Sequence, residues 1–166
     1  MTISRVSIQG QQALSAGGRL LGQTTAAVST VLGLDAASAA RVHFGLCCVF
    51  VSGSLRNIGL PLNPYLHGST YTLEPALQQL GWRPESMATA PPGSVAFFSR
   101  PGDIVPYHGA FFAGHDGANA YFLESSNDVD LTPQTVRLRR VPVTMIAGAV
   151  AALGDGDSVR LVAPVM

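Results

Sequence analysis

Two thiols stand side by side in this chain, Cys47 and Cys48, and four imidazoles, His43, His67, His108 and His115, are spread around them. A thiolate is strongly nucleophilic, and an imidazole that takes the thiol proton can return it to a leaving amine. Cys with His is therefore the minimum pair for thiol-based amide hydrolysis. Cys47, Phe50, Val51, Leu55 and Ile58 recur at spacings of three and four, which predicts a helix over 47–58 stopped by Gly59. Cys47 then lies at the helix start, where unpaired N–H groups and the macrodipole favour a thiolate. Cys48, about 100° around the helix, reads as packing. A buried free cysteine is also a common small core residue, so a nucleophile assignment for Cys47 depends on a partner.

His108 is the best-placed partner. It stands near the start of the otherwise apolar run Tyr107 to Ala113, directly after a loop containing Pro101, Gly102 and Pro106. His43 lies one helical turn before Cys47, His67 falls in a loop, and His115 belongs to a turn tip where solvation explains it. A third group follows from hairpin register. If His115-Asp116-Gly117 forms a three-residue loop, Gly114 pairs with Ala118 and His108 falls opposite Glu124, which could hold the imidazole and stabilise its charged form. If Asp116-Gly117 is a two-residue turn, the register slips by one, Glu124 faces away, and Asn127 or Ser126 is the better orienter.

The elements that position these groups divide in two. Residues 11–34 have loosely helical spacing weakened by Gly17, Gly18 and Gly22, and Asp35 reads as the N-cap of a short helix over 36–43. Thr72 to Leu80 reads as a further helix ended by Gly81. After Pro91-Pro92-Gly93 the period changes: Ser94–Ser99 is apolar on both faces, like a central strand, and Tyr107–Ala113, Ala120–Ser125, Thr135–Arg140 and Ser158–Ala163 are further strands. In Thr135–Arg140, Val136 and Leu138 are expected inward and Arg137 and Arg139 outward. Pro142–Leu153 is expected to be a final helix. Helices first and an antiparallel sheet afterwards is the α+β pattern. One domain over 1–166 is expected, an N-terminal helical segment (1–45) followed by the core that carries the chemistry (46–166).

Composition excludes several classes. The 166 residues are 47% hydrophobic and 12% charged, which rules out intrinsic disorder. All ten cations are Arg, balanced by ten acidic residues, so no concentrated positive field marks a nucleic-acid binder. The longest nearly uncharged apolar stretch, 141–153, is short of the roughly 20 residues that span a bilayer. The N-terminus has no continuous apolar core of a signal peptide. The adjacent cysteines lack zinc-knuckle spacing and the geometry of an unstrained disulfide, and no phosphate loop or dinucleotide fingerprint is present. No metal or cofactor is expected.

Cys47-Cys-Val-Phe-Val-Ser-Gly-Ser-Leu55 with Asn57-Ile-Gly-Leu-Pro61 resembles the nucleophile helix of papain-like cell-wall cysteine peptidases, the NlpC type and the related CHAP amidases. Pro92-Gly-Ser-Val-Ala-Phe-Phe98 resembles their P-G-D-V-V-F-F strand, and His108-Gly-Ala-Phe-Phe-Ala-Gly114 their H-V-G-I-V-x-G strand. The likeness covers about residues 45–128, and its order is Cys, PG-strand, His, then a polar residue on the next strand. It departs at Leu46, where Asp or Asn is usual, at Cys48-Val49, where the family carries Ser-Gly, and at Ser94, where Asp is usual.

The resemblance implies a papain-like fold, with Cys47 as nucleophile, His108 as general base, Glu124 at the third polar position and Asn127 close to where CHAP proteins carry an Asn. It implies hydrolysis of an amide in the stem peptide of bacterial peptidoglycan, through a thioester. Such a substrate lies outside the cytoplasm. Without a signal peptide, a protein made in the cytoplasm would need specialised delivery, as an antibacterial effector, for example a type VI secretion amidase, or as a phage lysis enzyme. An effector implies an immunity protein that plugs the cleft. The same three residues could instead serve a toxin acting on a host protein, as deamidase, peptidase or acyltransferase, or the domain could be a non-catalytic binding module.

Overall fold

Short apolar runs broken by Pro and Gly fill the chain beyond residue 82, and they pair into one sheet. The computed structural model describes residues 8–23, 46–125 and 135–164. Within them lie three helices, α1 (Ile8–Gly18), α2 (Leu46–Asn57) and α3 (Thr70–Gln79), followed by seven strands: β1 (Arg83–Glu85), β2 (Val95–Ser99), β3 (His108–His115), β4 (Asn119–Ser125), β5 (Val136–Met145), β6 (Ala151–Leu153) and β7 (Ser158–Ala163). This is the expected α+β class. All pairings are antiparallel, in the order β1-β7-β2-β3-β4-β5-β6. Because β6 also pairs with β7, six strands close a ring and β1 lies along the remaining part of β7.

Strand alternation then makes two cores. Phe98, Ala110, Phe112, Phe122, Val141 and Leu161 pack together with one another inside the ring. Val95, Phe97, Phe111, Leu123 and Val162 face the other way and meet Cys47, Cys48, Phe50, Val51 and Leu55 of α2. Phe50 sets its ring edge-on to Phe111, centroids 5.7 Å apart. Each such side chain, fully buried, contributes about 1.5–3 kcal/mol.

The α2 helix ends as its sequence predicts. Gly59 adopts φ +100°, its N–H donates to the Arg56 carbonyl, and the Leu60 N–H donates to the Leu55 carbonyl, the paired bonds of a Schellman stop. Ser69 caps α3 by accepting from the Thr72 N–H at 3.3 Å, so this helix begins two residues earlier than the apolar pattern suggests. The α1 helix holds glycines where its neighbours leave no room. A Cβ on Gly10 would lie 2.4 Å from the Pro92 carbonyl oxygen, and one on Gly93, at φ +94°, 2.1 Å from the Gly10 oxygen. Their absence lets α1 cross the turn before β2 backbone to backbone. The rest of the expected N-terminal helices, including that over 36–43, lies outside the described residues.

Several expectations are corrected. Pro142–Leu153 is not a helix: β5 runs on to Met145, and β6 follows after a turn. Uncharged apolar residues suit either element, and β-branched Val141, Val143 and Thr144 favour the strand. Leu138 is not inward but 55% exposed, since none of the described helices covers the sheet there, whereas Arg137 and Arg139 are partly buried. The three residues of β1 carry Pro84, which an edge strand tolerates, and they gave no strand pattern to read.

The β3–β4 hairpin also differs from the expected register. His115 pairs with Ala120, leaving 116–119 as a four-residue loop closed by an Asp116 N–H to Asn119 carbonyl bond of 3.0 Å. A bulge between Phe112 and Gly114 then shifts the pairing by one, to Phe112 with Phe122 and Phe111 with Leu123. Extended along the strands, this register places Ala110, not His108, opposite Glu124. His108 and Glu124 are diagonal neighbours on the same face. Without the bulge they would face opposite ways.

Candidate functional site

His108 opens β3, and its position is set from both sides. The Tyr107 N–H donates to the Phe98 carbonyl at 2.9 Å, and Thr70 Oγ1 at the start of α3 donates to the Pro106 carbonyl at 2.5 Å. These bonds fix the end of the loop that delivers the imidazole. Its ring lies against Phe98, centroids 5.2 Å apart, and is 3% exposed. Nε2 contacts Oε2 of Glu124, which is 1% exposed on β4. Nδ1 is buried without a hydrogen-bond partner among the described residues. It is the ring atom left to take a proton.

Glu124 is shared. Its other oxygen, Oε1, accepts Nε–H of Arg137 at 3.1 Å and lies 2.7 Å from Nε of Arg139, whose N–H is not directed at it. Arg137 pairs with Glu124 across β4–β5, and Arg139 lies over the Phe98 ring at 4.9 Å and the Phe122 ring at 5.9 Å. One carboxylate thus binds imidazole with one oxygen and guanidinium with the other, which fixes its orientation. Burial raises its pKa, but His108 and the two arginines outweigh this, and Glu124 is held below the ordinary carboxylate range.

Cys47 lies at the start of α2, 4% exposed. Its thiol is driven well below the ordinary range, first by the Cys48 thiol beside it, then, against burial, by the imidazole of His108 and by the Gly109 N–H. Cys48 is raised by the same contact and by burial, so it stays a thiol. For His108, burial pulls downward, but Cys47 and Glu124 prevail and hold it up at about 9. Both shifts favour the same state, a thiolate beside an imidazolium.

The packing that brings α2 to β3 depends on Gly109, where a Cβ would stand 3.0 Å from Cys48 Sγ. Cys48, expected to be turned away, is as buried as Cys47 in the same core, because residues 47–55 of α2 are buried on every side. Helical phase therefore does not separate the two thiols; the influence of His108, which favours the thiolate at Cys47 alone, does.

Asn127 and Ser126, like His43, lie outside the described residues. His67 Nδ1 accepts the Asn63 N–H within its loop, and His115 Nδ1, at the end of β3, accepts the Gly117 N–H of the hairpin loop. Arg137, Arg139, Cys48 and Gly109 were not singled out by sequence as site residues. The alternation of Arg137 and Arg139 on one strand face, with a glutamate needing buried counter-ions on the next strand, was the available signal for the arginines. Among the described residues no group of three or more His, Cys, Asp or Glu side chains is arranged to hold a metal ion, and no helix is long and apolar enough to cross a membrane. A cavity of about 540 Å³ between α1 and the far end of α2, lined by Arg19, Leu20 and Asn57 among others, lies some ten residues along α2 from Cys47, about 15 Å. No family model matches the chain, nor does any curated protein or solved structure.

Proposed function

We propose that the chain is a cysteine amide hydrolase of papain-like type, with Cys47 as nucleophile, His108 as acid and base, and Glu124 as the group that orients and charges the imidazole. The observation that carries this reading is the buried His108–Glu124 pair, with an unpartnered His108 Nδ1 and the buried Cys47 thiol at the start of α2. In the reaction, Cys47 sulfur attacks the amide carbonyl and the C–N bond breaks as His108 gives its proton to the leaving nitrogen. Water then attacks the thioester, losing a proton to His108 and releasing the thiol and a carboxylate. Backbone N–H groups at the helix start, that of Cys47 included, hold the developing oxyanion.

The substrate follows from the resemblance of the Cys47 helix and the His108 strand to NlpC and CHAP enzymes: a stem peptide of peptidoglycan. An antibacterial effector or lysis enzyme is the matching biological role, with an immunity protein as its partner. Purified sacculi incubated with wild type should release muropeptides whose masses identify the bond cut. Cys47→Ala, with its fold intact by circular dichroism, should release none. Persisting release from the variant would remove Cys47 from the mechanism.

Burial favours one second reading. With Cys47 and His108 at 4% and 3% exposure, the domain could keep this arrangement as a binding module without turnover. Cys47 unreactive toward iodoacetamide at pH 7, together with no release from sacculi, would establish that alternative.

A further inference from the structure

Among the described residues the charge around Glu124 does not balance. Cys47 and His108 sum to zero whether the proton sits on sulfur or on nitrogen, so the described cluster holds one carboxylate against two guanidiniums. Asp157, whose carboxylate takes the Tyr107 hydroxyl, makes no ion pair with either arginine among the described residues. One counter-ion would satisfy Glu124; the second, partly exposed guanidinium beside it adds repulsion without a further carboxylate among the described residues. Arg137 spends only Nε on Glu124, Arg139 lies beside the same oxygen without directing an N–H at it, and the terminal NH₂ groups of both make no hydrogen bond among the described residues. Arg137 is 37% exposed and Arg139 22%, the latter oriented by the rings of Phe98 and Phe122. A guanidinium presents a planar fork that matches the two oxygens of a carboxylate.

We propose that Arg137 and Arg139 form a recognition site for a carboxylate of the substrate, placed on the Glu124 side of His108. This rests on the reading of the chain as an amide hydrolase acting on a peptide. The site selects anionic peptides, in which a free carboxylate lies near the scissile amide, over their amidated counterparts, and it supplies the negative charge that Glu124 alone leaves missing.

The test uses two synthetic stem peptides, one with its carboxylates free and one with all of them amidated, and reads the ratio of their kcat/KM values. Wild type should favour the free carboxylate by about tenfold to a hundredfold, the range for charge-assisted hydrogen bonds. In Arg137→Gln the ratio should fall to within about threefold of one, and in Arg137→Lys it should be intermediate. Any loss transmitted through Glu124 slows both peptides alike and cancels in the ratio. A wild-type ratio near one, or an Arg137→Gln variant that is slower on both peptides with its preference unchanged, overturns the proposal. If wild type cleaves neither peptide, the hydrolase reading fails separately. Calorimetric binding of the two peptides to Cys47→Ala protein then decides the recognition site: tighter binding of the free carboxylate that Arg137→Gln abolishes supports it, and equal or absent binding refutes it.

Discussion

Replacing Glu124 by Gln keeps size and one acceptor oxygen but removes the charge that faces His108, Arg137 and Arg139. Removing one partner of a buried ion pair costs about 3–5 kcal/mol. Arg137 and Arg139 are 37% and 22% exposed and can rehydrate, while His108 cannot. That places the expected loss near the lower end, about 3 kcal/mol, still a large share of the roughly 5–15 kcal/mol that holds a domain of this size folded. The imidazole should respond as well. His108 is held at about 9 against burial by Cys47 and Glu124, and an opposite charge at this range supplies about 1–3 pH units. Urea denaturation at pH 7 measures the first quantity and NMR titration of the His108 ring the second. The sign in acid is fixed by the direction of the Glu124 shift. Its folded pKa is depressed, so its contribution is present above the unfolded carboxylate value and is lost as pH falls through the folded one. The gap between wild type and Glu124→Gln should therefore close on acidification. A destabilisation below about 1 kcal/mol at pH 7, with His108 titrating as in wild type, would refute the buried cluster as the source of the imidazolium.

Alkaline pH tests the thiol and imidazole together. His108 has a raised pKa, so its contribution alone is full below about 6.5 and is lost as pH rises through about 9. Cys47 has a lowered pKa, so its contribution alone grows with pH over the same window, up to the unfolded thiol value. Folding then only moves a proton from sulfur to nitrogen, and wild-type stability by urea denaturation should vary by less than about 0.5 kcal/mol between pH 7 and 8.5 from this pair; a fall of 2 kcal/mol would show that His108 titrates without Cys47. Gly109→Ala would set a methyl 3.0 Å from Cys48 Sγ, pushing the start of α2 off β3. We expect a loss of about 1–3 kcal/mol and slower alkylation of Cys47 by iodoacetamide at pH 7, read by mass spectrometry of the modified peptide; unchanged alkylation would mean that this contact does not set the thiol's environment.

The helix that carries Cys47 was legible because its signals are local: apolar spacing of three and four, and a Gly59 whose backbone closes the last turn. The strands were legible where alternation was long enough, as in 158–163, and illegible where three residues including Pro84 make an edge or where apolar Val141–Leu153 suits both periods. Ring closure was out of reach, since the contact of β6 with β7 depends on the twist of the whole sheet and leaves no pattern in either segment.

The meeting of His108 and Glu124 is the instructive case. A three-residue loop and a continuous ladder would oppose them directly, whereas the chain uses a four-residue loop, which by itself turns Glu124 to the wrong face, and then a bulge between Phe112 and Gly114, which turns it back. Two departures from the regular hairpin cancel in parity and leave the pair diagonal. The same parity faces Arg137 and Arg139 toward Glu124 and Phe122, because β5 pairs in unbroken register with β4 from Ser125 to Asn119. The bulge is thus the element on which the site's composition depends: with it, thiol, imidazole, carboxylate and two guanidiniums converge, and without it the imidazole would face a different set of β4 and β5 side chains.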